Sequence, residues 1–255
     1  MNILQALILG IVQGLTEFLP ISSSGHLALL QNYFGEVSVG FDVVLHFATL
    51  LAILVYFAKD IVFMARDFFS FDIRREGFRT AVFLVIATIP IVIVGWFFRN
   101  LIYSFFSNLY VVAMGFIISG MFLFTASFSR EKRKINAGNS FLIGISQALA
   151  LIPGVSRSGA TVSTGILAGI SREKAIRFSF LLAIPAIFGA LIVNLSDLFI
   201  SNISVSVVLV GFLAAFLAGL LAIFIFVKFL NIRRFRILAY YLWILGIGIL
   251  IRLIL

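Results

Sequence analysis

Residues 10–25 read GIVQGLTEFLPISSSG, and residues 144–159 read GISQALALIPGVSRSG. Both stretches begin with Gly-Ile-x-Gln, continue through a small and apolar run to a proline, and end in a serine-rich turn closed by glycine. Each therefore interrupts a long hydrophobic segment with residues that break helices. The first stretch contains Glu17 and is followed by His26, and the second contains Arg157. A repeated, broken segment with ionisable groups in an apolar chain indicates a functional site within a membrane.

The composition places the chain in a lipid bilayer. Hydrophobic residues make up 62% of the 255 residues and charged residues 11%, and the mean hydropathy is +1.20. A soluble domain has roughly 45–50% apolar and about 25% charged residues, so a soluble fold is excluded. The sequence has no cysteine, which excludes disulfides and thiolate sites. The net charge of +9 does not predict nucleic-acid binding, because the basic residues cluster between apolar runs as the positive-inside rule requires.

Hydropathy and loop charge together predict six membrane spans, roughly at residues 39–58, 80–98, 108–128, 177–196, 205–227 and 237–255. Basic connections lie at residues 59–79, 130–134, 172–177 and 228–236. The connections at 99–107 and 197–204 are poor in lysine and arginine, and Arg99 is their one basic residue. If the basic connections lie in the cytoplasm, the first span starts outside and the spans alternate without conflict.

Two segments, 2–35 and 139–170, remain outside these spans. Segment 139–170 has basic flanks on both sides, so both of its ends should lie in the cytoplasm, whereas segment 2–35 precedes a span that starts outside. We therefore predict an all-α polytopic membrane protein, with six transmembrane helices and two re-entrant helical hairpins that enter from opposite faces. The alternative is that both hairpins are ordinary spans, which would make eight.

The whole chain, residues 1–255, then reads as one membrane domain built from halves at about 1–128 and 139–255. Each half has a hairpin and three spans, and because three is odd, the second half must be inverted. Inverted repeats meet near the bilayer midplane. We therefore expect the two serine-rich turns to face each other.

The first hairpin contains residue types suited to acid–base and phosphate chemistry. Glu17 lies four residues after Gln13, so the two share a helix face. Pro20 ends that helix, and the serines at 22–24 begin the next, where hydroxyls and N–H groups bind anions. His26 exchanges a proton near neutral pH. As alternatives, the serines are only caps, His26 is an interior hydrogen-bonded residue, and Glu17 pairs with a buried arginine for assembly. The candidate residues here are Gln13, Glu17, Ser22, Ser23, Ser24 and His26.

The second hairpin supplies a cation. Arg157 has no acidic residue within thirteen positions on either side, so it needs a distant carboxylate, a phosphate or water. Its guanidinium matches phosphate oxygens and stays charged, although a structural bridge to Glu17 is the alternative. Aligning the repeats on their closing glycine places Arg157 opposite Ser23. Further donors come from Ser156, Ser158 and Thr161.

In the first predicted span, Asp42 and His46 lie four residues apart. Either both face the same cavity or they pair with each other, and we favour the pairing.

Residues 13–26 (QGLTEFLPISSSGH) and 153–161 (PGVSRSGAT) resemble the two signatures of undecaprenyl-diphosphate phosphatases of the bacitracin-resistance type. Residues 41–45 (FDVVL) and 178–185 (FSFLLAIP) are also similar to that family. The resemblance covers nearly the whole chain. It implies a plasma-membrane enzyme that removes one phosphate from a polyprenyl diphosphate and so recycles the lipid carrier of cell-wall polymers. It also implies an inverted repeat with re-entrant helices.

The resemblance implies that Glu17, Ser23, His26 and Arg157 match the family's essential positions. Gln13 stands where the family more often has Glu, which leaves Glu17 as the single acidic ligand for a divalent cation, Mg²⁺ or Ca²⁺, held mainly by diphosphate oxygens and water. We expect Ser23 to attack phosphorus with Glu17 or His26 as its base, and attack by His26 or by water is the alternative. The partners we expect are membrane lipid, the polyprenyl diphosphate and a second copy in a homodimer, with a site that opens outward.

Without the resemblance, a secondary transporter would rank first, because inverted repeats with broken helices are typical of that class. A lipid flippase would have the same architecture, and flipping can coexist with hydrolysis. A passive structural membrane protein would explain neither repeat.

Overall fold

The structure, a computed structural model, describes residues 1–35, 39–129, 134–194, 203–229 and 232–255. These residues form twelve α-helices and no β-strand. In chain order the helices are α1 (Ile3–Phe18), α2 (Ser23–Phe34), α3 (Val39–Tyr56), α4 (Ala58–Phe69), α5 (Glu76–Phe97), α6 (Arg99–Phe106), α7 (Leu109–Ala126), α8 (Ala137–Leu149), α9 (Arg157–Leu167), α10 (Arg172–Val193), α11 (Val205–Phe229) and α12 (Ile232–Ile254).

Six of these helices, α3, α5, α7, α10, α11 and α12, are long and apolar enough to cross a membrane. They coincide with the six predicted spans to within a few residues at each end. The prediction of an all-α, multi-pass membrane protein is therefore confirmed. Parts of the predicted connections at 130–134, 197–204 and 228–236 lie outside the described residues.

Two predicted connections contain helices that we did not predict. Residues 59–79 include most of α4, and residues 99–107 include α6. α4 places Lys59 and Arg66 beside large exposed apolar side chains such as Val62 and Phe63. This mixture of charged and apolar groups on a short helix is typical of a helix lying in the membrane interface.

Each hairpin segment folds as two short helices joined by a turn, α1 with α2 and α8 with α9. At 1.5 Å per residue, α1 is about 24 Å long and α2 about 18 Å, against roughly 30 Å for the hydrocarbon core. α1 ends at Phe18, two residues before Pro20, and α8 ends at Leu149, before Pro153. Neither segment is one continuous span, and entry from opposite faces stays a prediction.

The two hairpins pack on the spans through matching contacts. α1 lies along α11, and α8 lies along α5. A Cβ added to Gly14 would lie 2.5 Å from the carbonyl oxygen of Ala215, and one added to Gly144 would lie 2.5 Å from that of Ala87. Such close backbone contact requires glycine, and small residues are what lets membrane helices approach. The contacts of α1 with α11 and of α8 with α5 agree with a division into halves at about 1–128 and 139–255. That division stays a prediction.

The two hairpins are connected through the centre of the molecule. α3 and α10 pack against each other, α3 also contacts α1, and α10 also contacts α9. α7 contacts both α2 and α9 and is paired along its length with α12. The spans α3, α7 and α10 therefore each contact at least one of the short helices that flank the two serine-rich turns.

Candidate active site

The two serine-rich turns face each other and are in contact. Ser158 Oγ, in the second turn, donates a hydrogen bond of 3.2 Å to the carbonyl oxygen of Leu19, beside the first. A Cβ added to Gly25 would lie 3.0 Å from the Cα of Gly154, so the backbones of the two turns almost touch. This is the arrangement that the repeat leads us to expect.

The same hydrogen bonds form in both turns. Ser22 is the N-cap of α2 and its Oγ accepts from the backbone N–H of Gly25 at 3.3 Å. Ser156 is the N-cap of α9 and its Oγ accepts from the N–H of Gly159 at 3.1 Å. In each turn the capping hydroxyl also lies 3.2 Å from the hydroxyl two residues later. Ser22 and Ser156 therefore do cap the helices that follow them. They are also the two residues that the alignment of the stretches makes equivalent.

The backbone of Ser22 is strained. Its φ is +70°, a left-handed value that a residue with a side chain rarely adopts. Such a conformation costs of order 1–3 kcal/mol and is concentrated at functional sites. The equivalent residue in the other turn, Ser156, has a φ of −75°. The two turns therefore differ in backbone conformation at the residue that precedes Ser23 in one and Arg157 in the other.

Glu17 is the centre of a buried polar cluster. Its Oε1 accepts a hydrogen bond of 2.5 Å from Arg157 Nη2, which is also an ion pair. Its Oε2 accepts from Ser23 Oγ at 2.5 Å and from Gln13 Nε2 at 3.2 Å. Glu17 is only 7% exposed, so the neighbouring cation and the hydrogen bonds offset the cost of burying its charge. The structure thus brings together three of the four residues predicted to be catalytic.

His46 on α3 also reaches this cluster. Its Nε2 lies 3.9 Å from Glu17 Oε2. Its Nδ1 donates a hydrogen bond of 2.8 Å to the backbone carbonyl of Asp42, whereas the carboxylate of Asp42 accepts from Gln31 Nε2 at 2.7 Å. The two residues are thus linked through the backbone of Asp42, and the carboxylate of Asp42 bonds to Gln31 rather than to His46. This leaves the second ring nitrogen of His46 directed towards Glu17.

The structure does not bring His26 to the same cluster. Its Nδ1 donates to the carbonyl of Ser22, and its Nε2 lies 2.7 Å from the hydroxyl of Tyr241 on α12. The imidazole ring stacks on Tyr241 and meets Phe116 edge to face. Both ring nitrogens are therefore occupied. The hydrogen-bond acceptor of Ser23 Oγ in the structure is Glu17, and His26 does not serve as its base in this arrangement.

The remaining predicted residues support the second turn. Thr161 Oγ1 donates to the carbonyl of Arg157 at 2.8 Å and lies 2.6 Å from Ser179 Oγ. Ser119 on α7, which the sequence analysis did not single out, accepts from the N–H of Ser156 and donates to the carbonyl of Gly154. An isolated serine in an apolar span has no spacing signal, so nothing in the sequence pointed to it.

The chain matches the family described as Bacitracin resistance protein BacA over residues 6–248. It belongs to this family. Among its relatives is an undecaprenyl-diphosphatase of Methanobrevibacter smithii, 42% identical over 97% of this chain and 96% of the relative. Others are undecaprenyl-diphosphatases of Christiangramia forsetii, 39% identical over 98% of both chains, and of Desulforapulum autotrophicum, 37% identical over 97% of both. The family resemblance of the two motifs is therefore confirmed.

Two polar atoms of the cluster in this BacA-family protein are buried and have no hydrogen-bond partner among the described residues. They are Gln13 Oε1 and Arg157 Nη1. Buried polar atoms are normally satisfied, so each unpaired atom requires an explanation. Nη1 is a charged donor suited to a phosphoryl oxygen, and Oε1 is an amide oxygen suited to a hard cation. Both side chains are bonded to Glu17 through a different atom, a nitrogen, so the two unpaired atoms belong to one polar cluster.

The metal ligands available to the protein are few. In the part of the chain that the structure describes, no group of three or more His, Asp or Glu side chains could hold a metal ion. The residues therefore fit a Mg²⁺ or Ca²⁺ ion held by Glu17 and Gln13 only if most of its oxygen ligands come from substrate and water, as Mg²⁺ commonly arranges.

Proposed function

We propose that this protein hydrolyses undecaprenyl diphosphate, or a related polyprenyl diphosphate, to the monophosphate and inorganic phosphate. The reaction would return the lipid carrier to cell-wall polymer synthesis at the plasma membrane. Relatives that align over nearly their whole length are undecaprenyl-diphosphatases, which favours an enzyme over a transporter or flippase. The structural observation that supports the proposal is the meeting of Glu17, Ser23 and Arg157 at one buried point between the two turns.

The prenyl tail would lie among the apolar side chains of the spans, with the diphosphate between the turns. Arg157 can hold Glu17 through Nη2 and a phosphoryl oxygen through Nη1, because a guanidinium presents several donors in one plane. Hydroxyls near both helix N-termini would bind further phosphate oxygens, as helix N-termini do. The proposed substrate-binding residues are Gln13, Ser22, Ser24, Ser156, Ser158 and Thr161.

In the reaction we propose, Ser23 Oγ attacks the terminal phosphorus and transfers its proton to Glu17 Oε2, which already accepts its hydrogen bond. The bond between that phosphorus and the bridging oxygen breaks, and polyprenyl phosphate leaves. Arg157 stabilises the charge on the equatorial oxygens in the transition state. Water then hydrolyses the phosphoserine.

A divalent cation at Glu17 and Gln13 would neutralise charge on the diphosphate and its leaving oxygen. The homodimer and the outward opening of the site stay predictions.

The test is phosphate release from polyprenyl diphosphate by detergent-purified protein, with and without a chelator. We expect release by wild type and by Glu76→Ala, a control at an exposed glutamate of α5, and loss of release in Glu17→Ala. Trapping with labelled substrate identifies the nucleophile. Acid-stable phosphoserine supports Ser23, and acid-labile phosphohistidine supports His26. If no phosphorylated residue is found, direct attack by water is supported. Folded wild-type protein that releases no phosphate would refute the proposed function.

A further inference from the structure

His26 has no part in the reaction described above, yet its imidazole is bonded to the residue that precedes Ser23. The carbonyl oxygen of Ser22 can only accept, so Nδ1 of His26 donates the hydrogen bond of 2.7 Å between them. In the neutral ring Nε2 is then the acceptor, and the Tyr241 hydroxyl donates to it at 2.7 Å. A chain of two hydrogen bonds therefore runs from α12 through the imidazole to the backbone of the first turn.

The carbonyl that His26 binds belongs to the strained residue of the site. Ser22 has a φ of +70° and a ψ of +99°, and such a conformation persists only where the surrounding structure holds it. Because a peptide group is planar, the Ser22 carbonyl and the N and Cα atoms of Ser23 lie in one plane. A hydrogen bond that holds this carbonyl therefore also fixes the direction in which Ser23 leaves the turn.

The second turn offers an internal comparison. Alignment on the closing glycine places Ser156 opposite Ser22 and Ala160 opposite His26, and an alanine side chain cannot donate a hydrogen bond. The Ser156 carbonyl accepts from the N–H of Ala160 at 2.8 Å, and Ser156 has an ordinary φ of −75°. In the first turn the same backbone bond, from the His26 N–H to the Ser22 carbonyl, is 3.3 Å long, whereas Nδ1 lies 2.7 Å from that oxygen. The strained backbone is thus in the turn that has the imidazole.

Two helices hold the imidazole in place. Its ring meets Phe116 edge to face, with the ring centroids 5.2 Å apart, and Phe116 is fully buried in α7. On α12 the ring of Tyr241 lies nearly parallel to the imidazole, at 12°, and α12 packs along α7. Phe116 therefore restricts the position of the ring, and the Tyr241 hydroxyl anchors it at the nitrogen that does not bind Ser22.

We infer that Tyr241 and His26 are positioning residues for Ser23, an inference that rests on the proposed function. Tyr241 holds His26, and His26 holds the Ser22 carbonyl. The strained peptide group then aims the Ser23 hydroxyl, which donates to Glu17, at the phosphorus. The imidazole neither attacks phosphorus nor takes the Ser23 proton. Because a displacement of about 1 Å from the reactive geometry can cost about 10²-fold in rate, loss of one link should lower kcat far more than it raises KM.

The first deciding variant is Tyr241→Phe, which removes the hydroxyl and keeps the ring. We expect kcat for phosphate release to fall about tenfold, with KM within about twofold of wild type, because the substrate contacts are kept and the nucleophile is misplaced. The matched control is Tyr240→Phe at the neighbouring position of α12, whose ring packs on Trp243. It should behave as wild type.

Ser22→Gly distinguishes positioning from a chemical role of the imidazole. Glycine adopts a positive φ without strain and is tolerated as an N-cap, so the turn should then depend less on His26. We therefore expect Tyr241→Phe to lower kcat by less than about threefold in the Ser22→Gly background, the non-additivity of coupled sites. In the Ser156→Gly background, which changes the unstrained turn, Tyr241→Phe should still cost about tenfold.

His26→Asn and His26→Ala give an independent measurement. The asparagine amide can donate to the Ser22 carbonyl in place of Nδ1 but cannot act as a base or a nucleophile. We therefore expect His26→Asn to keep at least about tenfold more of the wild-type kcat than His26→Ala. If Ser22→Gly is too slow to measure, these two variants decide. If either of them does not fold, the kcat of Tyr241→Phe decides.

Three results would each overturn the inference: a wild-type kcat in Tyr241→Phe, a loss in that variant that Ser22→Gly leaves unchanged, or a folded His26→Asn as slow as His26→Ala. Failure of wild type to release phosphate would instead refute the proposed function, so the two failures are distinguishable.

Discussion

Glu17 and Arg157 lie 140 residues apart in the sequence and form an ion pair between the two hairpins, with 2.5 Å between Oε1 and Nη2. Each belongs to one of the two repeated stretches, and neither has an equivalent in the other. Leu151 stands at the position of Glu17 in the second stretch, and Ser23 stands at the position of Arg157 in the first. The repeat therefore gives both turns a similar backbone, whereas the carboxylate comes from the first hairpin alone and the guanidinium from the second alone.

The first prediction concerns the guanidinium. We expect Arg157→Lys to lose about 10²-fold in turnover, the effect of removing one preorganised donor. An ammonium cannot hold the Glu17 carboxylate and a phosphoryl oxygen in one planar fork. The measurement is phosphate release beside Arg66→Lys, an exposed arginine of α4, which should behave as wild type. Near-normal turnover in Arg157→Lys would remove the phosphate-binding role of this residue.

The second prediction separates the structural role of the pair from its chemistry. Glu17→Ala leaves a buried guanidinium without its ionic partner, which we expect to cost about 3–5 kcal/mol of stability. Removing both partners avoids the unpaired charge, so Glu17→Ala with Arg157→Ala should be at least as stable as Glu17→Ala alone. The measurement is thermal unfolding of detergent-purified variants. Losses in Tm that simply add would contradict an energetically coupled pair.

The spans, the hairpin segments and the facing turns could be predicted from the sequence because each leaves a regular signal. Spans show as apolar runs between basic residues, and the turns show as a repeat. The pairing of Glu17 with Arg157 was one of the alternatives, because a lone buried arginine needs a distant partner.

The position of His46 could not be predicted, because the rotation of α3 about its axis decides whether the ring faces Glu17. Tyr241 and Ser119 were missed for a related reason: each is a polar residue in an apolar helix, and only the packing of α12 and α7 brings it to a turn. The short helices α4 and α6 were missed because their composition is that of a loop near a membrane surface.

A third prediction tests the packing that holds the first hairpin in place. Gly14→Ala introduces a Cβ that would lie 2.5 Å from the carbonyl oxygen of Ala215, so α1 must move away from α11. We expect a loss of about 1–3 kcal/mol in stability, as for other overpacked sites, with reduced phosphate release because α1 also positions Glu17. The matched control is Gly248→Ala in α12, where an added Cβ meets no atom within 4 Å of the described chain. Equal Tm values for the two variants would show that α1 tolerates displacement from α11.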